Sequence, residues 1–309
     1  MLEVYRGSIN TWECDEMGHM NVRFYVAKMM EGLAEFAHAA GLSHAFRAGA
    51  QSTLVPRDQH IRFIKEAHAG KPFTMKACVL EVTDSSVLVY QQIDHATGEP
   101  CAAFRTWIDH ADIESRIAFP WSEATRARWE GLKAAAPAEN APRSLDISVP
   151  PRASARMSDA DAIKAPVIGR GVVLPAHCDV SGRMMPEMFL GRVSDSIGHL
   201  LRPWREQVAK EAHARGETVR MGGAVLEYRL VYRRWPRPGD RFVIRSARGF
   251  QKEKTHSFVH WVIDPDTGEA WATTEAVAVA LNLETRKIMS ATPELMAALA
   301  NVAPSGLTI

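Results

Sequence analysis

Residues 12–25 read Trp12-Glu13-Cys14-Asp15-Glu16-Met17-Gly18-His19-Met20-Asn21-Val22-Arg23-Phe24-Tyr25. A carboxylate, a glycine, a histidine and an asparagine fall within seven positions, Asp15 to Asn21. A helical pattern follows at once. Apolar residues recur at Val22, Val26, Met29, Met30, Leu33, Ala37 and Ala40, one face at a period of about 3.6 residues. Asn21 suits the N-cap, because its side-chain oxygen can accept an orphan amide of the first turn. Gly41 suits the stop, because glycine tolerates positive φ. An acidic loop therefore runs into the positive end of a helix, where free N–H groups can stabilise a developing oxyanion.

Outward from this stretch, residues 3–11 read as a short strand. Four strand-like runs follow the helix: Thr53 to Ile64, interrupted near Pro56; Phe73 to Glu81; Val87 to Ile93; and Ala102 to Ile108. Gly70-Lys71-Pro72 and Asp94-His95-Ala96-Thr97-Gly98-Glu99 are turns. From Pro120 the texture changes. Residues 121–134 form a candidate helix capped by Ser122, and residues 135–166, rich in Ala, Pro, Ser and Arg, read as a linker.

The second half then repeats the first. Cys14-Asp15-Glu16-Met17-Gly18-His19-Met20 aligns with Cys178-Asp179-Val180-Ser181-Gly182-Arg183-Met184, an offset of 164 residues. Gly70-Lys71-Pro72-Phe73 matches Gly239-Asp240-Arg241-Phe242, and the turn at Asp94 matches Asp264-Pro265-Asp266-Thr267-Gly268-Glu269. Ile113-Glu114-Ser115-Arg116 matches Leu283-Glu284-Thr285-Arg286. A second amphipathic helix is expected over about 185–213, with strands near 221–234, 241–249, 256–264 and 270–282. Two long copies describe a duplicated domain, not a solenoid. The expected division is a domain over 1–120, a helix and linker over 121–166, and a domain over 167–309.

Composition agrees with two globular domains: 46% of the 309 residues are hydrophobic and 24% charged. A net charge of +1 gives no general attraction for nucleic acid. Cys14, Cys78, Cys101 and Cys178 lie far apart, without metal-ligand spacing, and read as reduced thiols of a cytoplasmic protein. Neither a signal peptide nor a membrane-spanning run is expected.

The spacing Asp-x-x-Gly-His-x-Asn-x-x-x-Tyr, here Asp15, Gly18, His19, Asn21 and Tyr25, resembles the signature of the 4-hydroxybenzoyl-CoA thioesterase group of the hotdog superfamily. Two tandem copies resemble the double-hotdog thioesterases, acyl-carrier-protein thioesterases among them. The resemblance covers about 3–120 and 167–290. It implies an α+β tandem hotdog, each unit an antiparallel sheet wrapped around a long central helix. It also implies hydrolysis of an acyl-CoA or acyl-carrier-protein thioester to free acid and thiol. By position, Asp15 becomes nucleophile or general base and the amide near Val22 an oxyanion donor. No cofactor or metal is implied; coenzyme A enters only as part of the substrate.

Each residue also has a plainer reading. His19 either orients the substrate carbonyl or holds the loop, and Asn21 is first a helix cap. Glu31 and Asp195 occupy matching helix positions, as a helix-borne base or as solvated charges. Asp179 and Arg183 mark a candidate second site, either degenerate or of altered chemistry. Arg229 to Lys254 is a basic run in which Arg233, Arg234 and Arg237 are candidates for the phosphates of coenzyme A; outward strand faces explain the same charges. Trp107, Trp204, Trp235 and Trp261 fit either an acyl pocket or core packing. An enoyl-thioester hydratase and a non-catalytic acyl-CoA sensor are the alternatives. Neither an Asp-x-Asn-Pro-x-His-like stretch nor a convincing DNA-binding segment accompanies them. Exposed sheet edges would let two chains form a homodimer.

Overall fold

The computed structural model describes residues 1–216, 220–285, 287–290 and 292–309. Arg286, which closes the last repeat block, lies outside them. The first half runs β1 (Leu2–Ser8), α1 (Val22–Ala39), β2 (Ser52–Phe63), β3 (Pro72–Val82), β4 (Ser86–His95), β5 (Pro100–Asp112) and α2 (Glu123–Gly131). After the short helix α3 (Met157–Ala162) come β6 (Val167–Val172), α4 (Pro186–Ser196), α5 (Gly198–Ala214), β7 (Met221–Tyr232), β8 (Arg241–Gln251), β9 (His256–Ile263) and β10 (Ala270–Asn282). The strand order in the first half is β1-β3-β4-β5-β2, and in the second β6-β8-β9-β10-β7, all antiparallel. The two orders are the same pattern. The chain is therefore a double hotdog, each sheet paired with a long helix.

Local chemistry accounts for the element boundaries. Asn21 caps α1 by accepting the Arg23 amide at 3.0 Å, and Gly41 leaves the helix at φ +78°. Ser122 caps α2 through the Thr125 amide at 3.1 Å. Pro56 stays within β2, where the register with β5 shifts between Pro56 and Asp58; a bulge is where a strand can absorb a missing N–H. The second long helix differs from expectation. It is interrupted at Ile197, between α4 and α5, beside Gly198 and within two turns of Pro203. Glycine is a weak helix former, and Pro203 removes one helical hydrogen bond.

The chain forms two compact units. One comprises Met1–Arg143, Leu174–Gly191 and Trp235–Pro238, and the other comprises Ser144–Val173, Arg192–Arg234 and Gly239–Ile309. In the first, Val26, Met29, Leu33, Phe36 and Ala37 of α1 are wholly buried. Gly32 lets the helix lie close on the sheet, since a Cβ there would stand 2.5 Å from Met75 Sδ. In the second unit Trp204 and Trp261 are buried, which makes them core residues.

The proline- and alanine-rich segment does not run free in solvent. Its start covers the outer face of the first sheet: Asn140 is buried, donates to Gln92 Oε1 at 2.9 Å, and its backbone carbonyl accepts from Arg105 at 2.8 Å. Its end packs Ala155, Ala160 and Ala165 against Val259 and Trp261 of the second unit. A sheet wrapped on one helix leaves its outer face uncovered, and small residues let the chain approach it closely.

Two histidines in the second unit are buried in apolar surroundings. His256 lies edge-on to Trp204, and His260 Nδ1 stands 2.7 Å from Ser246 Oγ. Burial pushes their pKa values from 6.5 down to about 4 and about 3. The unfolded chain therefore binds protons that the folded one refuses. Stability is complete above about pH 6.5 and falls as the pH drops toward 4. Urea unfolding should show a loss of roughly 2 kcal/mol per histidine between pH 7.5 and 5. His256→Phe should remove about half of that loss; an undiminished loss in this variant would contradict the assignment.

Candidate active site at the Asp15 loop

The loop between β1 and α1 is built by its own backbone. Asp15 N donates to His19 O at 3.0 Å, and Gly18 N to Asp15 O at 3.0 Å. Gly18 sits at φ +80°, a conformation that side chains disfavour. Asn21 N donates to Glu13 O at 2.8 Å, Arg23 N to the Asn21 side chain, and Phe24 N to Asn21 O at 2.9 Å. Among the described residues the Val22 amide has no acceptor. It is thus a free donor at the positive end of α1.

Asp15 is anchored through one oxygen. Its Oδ1 accepts the Met17 amide at 2.9 Å and lies 3.5 Å from His19 Nδ1. Oδ2 has no donor among the described residues. The other nitrogen of His19, Nε2, lies 3.9 Å from Glu66 Oε1. Glu66 Oε2 is in turn 3.4 Å from His68 Nε2, and His68 Nδ1 donates to Gly18 O at 3.1 Å. A backbone bridge joins His19 to His68, and Met20 N donates to Ala67 O at 2.7 Å. The connection between β2 and β3 thereby supplies two ionisable residues, Glu66 and His68, that the sequence reading did not single out. Asp15, His19, Glu66 and His68 form a string rather than a convergent nest, and among the described residues no group of three meets metal geometry.

Beneath the loop, Glu13 and Lys28 form a buried ion pair at 2.9 Å, with side chains 6% and 10% exposed. Glu13 also accepts the Asn10 amide at 2.8 Å, and Lys28 donates to Tyr5 at 3.2 Å. Burial works against the charge of Lys28, but bonds to Glu13 and Tyr5 outweigh it and leave its pKa raised. Tyr25, the last residue of the signature, is buried with its hydroxyl 3.8 Å from Cys101 Sγ. Burial first, with the charges of Asp15 and Glu66 among the lesser causes, holds its phenol well above the usual range.

The Asp179 loop repeats this backbone bond for bond. Asp179 N donates to Arg183 O at 2.8 Å, Gly182 N to Asp179 O at 3.0 Å, and Met184 N to Pro236 O at 2.9 Å. The Ser181 amide bonds Asp179 Oδ1 at 2.8 Å, as Met17 does Asp15. The side chains differ. Arg116, at φ +59° with its side chain only 10% exposed, donates to Asp179 Oδ2 at 2.9 Å and to Ser181 Oγ at 2.6 Å. Arg183 donates to the carbonyls of Glu114 and Trp235. The oxygen left open in Asp15 is occupied in Asp179.

The remaining candidates are placed as follows. Glu31 is 56% exposed, 4.0 Å from Lys28, with no hydrogen bond or ion pair to Asp15. Its charge and that of Asp179 act on Glu187, a buried carboxyl at the repeat position of Arg23, raised in pKa first by burial. Asp195 is exposed and pairs with Arg192 at 3.2 Å. Arg233 donates to Arg152 O and Thr273 Oγ1, Arg234 pairs with Glu269, and Arg237 with Glu114 at 3.2 Å. Arg229 and Arg245 are buried and bind backbone carbonyls, so the basic run is not simply the outward face of strands.

A family profile described as the thioesterase-like superfamily matches residues 9–129 and 173–299. No curated protein sequence matches. The fold is similar to that of an acyl-ACP thioesterase from Bacteroides thetaiotaomicron, at 10% identity and a TM-score of 0.62, covering 89% of this chain and 96% of that one. It is similar also to a 12:0-ACP thioesterase from Umbellularia californica, at 11% identity and a TM-score of 0.59, covering 89% and 92%. These likenesses show the fold.

The Glu13–Lys28 pair makes a direct test of what supports the loop. Lys28→Met should destabilise the protein by about 3 kcal/mol, because it strands a buried carboxylate. Adding Glu13→Gln should recover most of the loss in chemical denaturation. Additive losses would mean the pair is not coupled.

Proposed function

The chain belongs to the thioesterase-like superfamily, and from that premise we propose that it hydrolyses an acyl thioester at the Asp15 loop, with Asp15 as general base. The carrying observation is that one loop and the helix it enters leave two groups unpartnered among the described residues, Asp15 Oδ2 and the Val22 amide at the N-terminus of α1. A thioester is already activated, since sulfur donates poorly into its carbonyl. Hydrolysis then needs a base for water and a donor for the oxyanion.

In this reading Asp15 Oδ2 takes a proton from water as the oxygen attacks the carbonyl carbon. The Val22 amide and the end of α1 receive the negative charge, an effect worth roughly 3–4 kcal/mol per well-placed donor. Collapse breaks the carbon–sulfur bond, and the thiolate takes up the proton. The products are a carboxylic acid and a thiol.

The Asp-x-x-Gly-His-x-Asn spacing supports placement near the 4-hydroxybenzoyl-CoA thioesterase group, and the two-unit length supports kinship with acyl-carrier-protein thioesterases. Acyl-CoA and acyl-carrier protein are both substrates to test. Arg234 and Arg237, each more than half exposed, are the better phosphate candidates. Arg233, partly buried on backbone and threonine oxygens, is the poorer one. We assign Asp179 a structural role, because its carboxylate is taken by Arg116. Asn21 serves as the cap, and Glu31 and Asp195 lie outside the reacting group in this scheme.

Free-thiol release should be measured over a panel of acyl-CoAs and acyl-carrier proteins. At least one should be turned over. Asp15→Asn should lower kcat by about 10²–10⁴-fold, the usual range for loss of a general base. Asp179→Asn should stay within about twofold of wild type. No turnover of any thioester, or full activity in Asp15→Asn, would refute the proposal.

A further inference from the structure

We propose that the second unit carries a binding site for a small uncharged hydroxyl compound with an apolar body, in the recess between α5, the β8–β9 hairpin and the helix α6 (Pro293–Val302). Trp204, His256, Ala280, Met289, Met296 and Leu299 form its walls. Glu253 and Lys254, both exposed, lie on its solvent side. No lining residue belongs to the Asp15 or Asp179 loop, so the site stands apart from the hydrolytic reading.

The first unit explains why this recess is open. Phe119 N donates to His110 O at 2.9 Å, and Met289 N donates to Ala280 O at 2.8 Å, both atoms 170 residues further on. The helices α2 and α6 begin at the same offset, at Glu123 and Pro293. In the first unit this end is filled with rings. His110 lies on Phe119 with centroids 4.0 Å apart, and the wholly buried Trp129 lies against Phe36 at 5.5 Å. In the second unit Ala280 replaces His110, Met289 replaces Phe119 and Leu299 replaces Trp129. Three rings become three smaller, unringed side chains.

Two polar groups of the recess lack partners. Gln251, which also lines it, has its Oε1 buried and without a donor. The amide nitrogen of Gln251 donates to Lys252 O at 3.0 Å, which fixes the other atom as the oxygen. His256 is 6% exposed, and among the described residues neither ring nitrogen has a hydrogen bond. Its contacts are edge-on, with Trp204 and Phe258. Gln251 and His256 are register partners across β8 and β9, so the two side chains lie side by side.

Buried polar atoms are nearly always bonded, and this pair asks for one specific complement. Burial keeps the imidazole neutral at neutral pH, with a pKa of about 4, so it offers one N–H. A hydroxyl answers both groups at once: it gives its hydrogen to Gln251 Oε1 and takes the His256 N–H on its oxygen. A ketone can only accept, and leaves Gln251 Oε1 unpaired. A carboxylate sets its charge against that same oxygen. The recess spans about 240 Å³ with its open mouth included, and its enclosed part has room for a group the size of water, which a hydroxyl matches. The apolar body then lies against Trp204 and Leu299, where the unbranched thioethers of Met289 and Met296 adjust to its shape.

The test titrates the full chain, labelled with carbon-13 in its methionine methyls, with cyclohexanol, cyclohexanone and cyclohexanecarboxylate. Met289→Leu and Met296→Leu assign the two signals. Cyclohexanol should shift both saturably, with a Kd of about 1 mM or tighter. Cyclohexanone should bind about tenfold more weakly, and Gln251→Leu should weaken cyclohexanol by about the same factor. Cyclohexanecarboxylate should leave both signals in place. Leu299→Trp, which restores the residue of the first unit, should abolish binding; if that variant melts early, Gln251→Leu decides alone. Failure of cyclohexanol to shift the two methyls below about 10 mM would overturn the proposal. So would equal affinity for the alcohol, the ketone and the carboxylate, or undiminished binding in Gln251→Leu.

Discussion

The amides that begin α1 have no acceptors within the helix, and the first-loop geometry follows from how they are satisfied. Asn21 takes Arg23 through its side chain and Phe24 through its carbonyl, and gives its own N–H to Glu13. Val22 is left over. The loop that ends on this cap carries Asp15 and leads directly into the remaining donor. Below it, Lys28 neutralises the buried Glu13 carboxylate that holds the preceding turn. Stability and the disposition of the site are thus one arrangement.

Duplication separates scaffold from chemistry. The Asp15 and Asp179 loops share their backbone hydrogen bonds and the positive φ at Gly18 and Gly182. They differ in who faces the carboxylate. At the first loop it is a histidine followed by a glutamate and a second histidine. At the second it is Arg116, held in a left-handed conformation that costs about 1–2 kcal/mol. That cost is offset by bonds to Asp179 and Ser181 and by the approach of the guanidinium to the Trp235 ring at 5.8 Å.

Much of this was legible in the sequence. Helix period, cap and glycine stop placed α1 to within a residue, and the repeated blocks foretold the duplicated sheet order. These signals are local, or nearly constant in offset. The losses have physical causes as well. Glu66 and His68 reach the site through a strand connection about fifty residues downstream, and no periodicity reports such a meeting. Matching the halves at the Gly70–Gly239 turn sets Glu66 against Trp235 and His68 against Arg237, and this change of residue type was the available signal. Lys28 lies on a helix position that pattern alone assigns to solvent, and only its partner Glu13 explains its burial. Arg229 and Arg245 sit on strands yet point to carbonyls of the covering segment, a role that charge counting cannot reveal.

The central claim is that two loops of one backbone do different work, and that only the first accepts the reacting group. Calorimetric titration with a non-hydrolysable thioether analogue of a turned-over thioester tests it most directly. One equivalent bound per chain, with the enthalpy altered by Asp15→Asn and untouched by Asp179→Asn, is the predicted result. Two equivalents of similar affinity, or a single one sensitive to Asp179→Asn alone, would contradict the account.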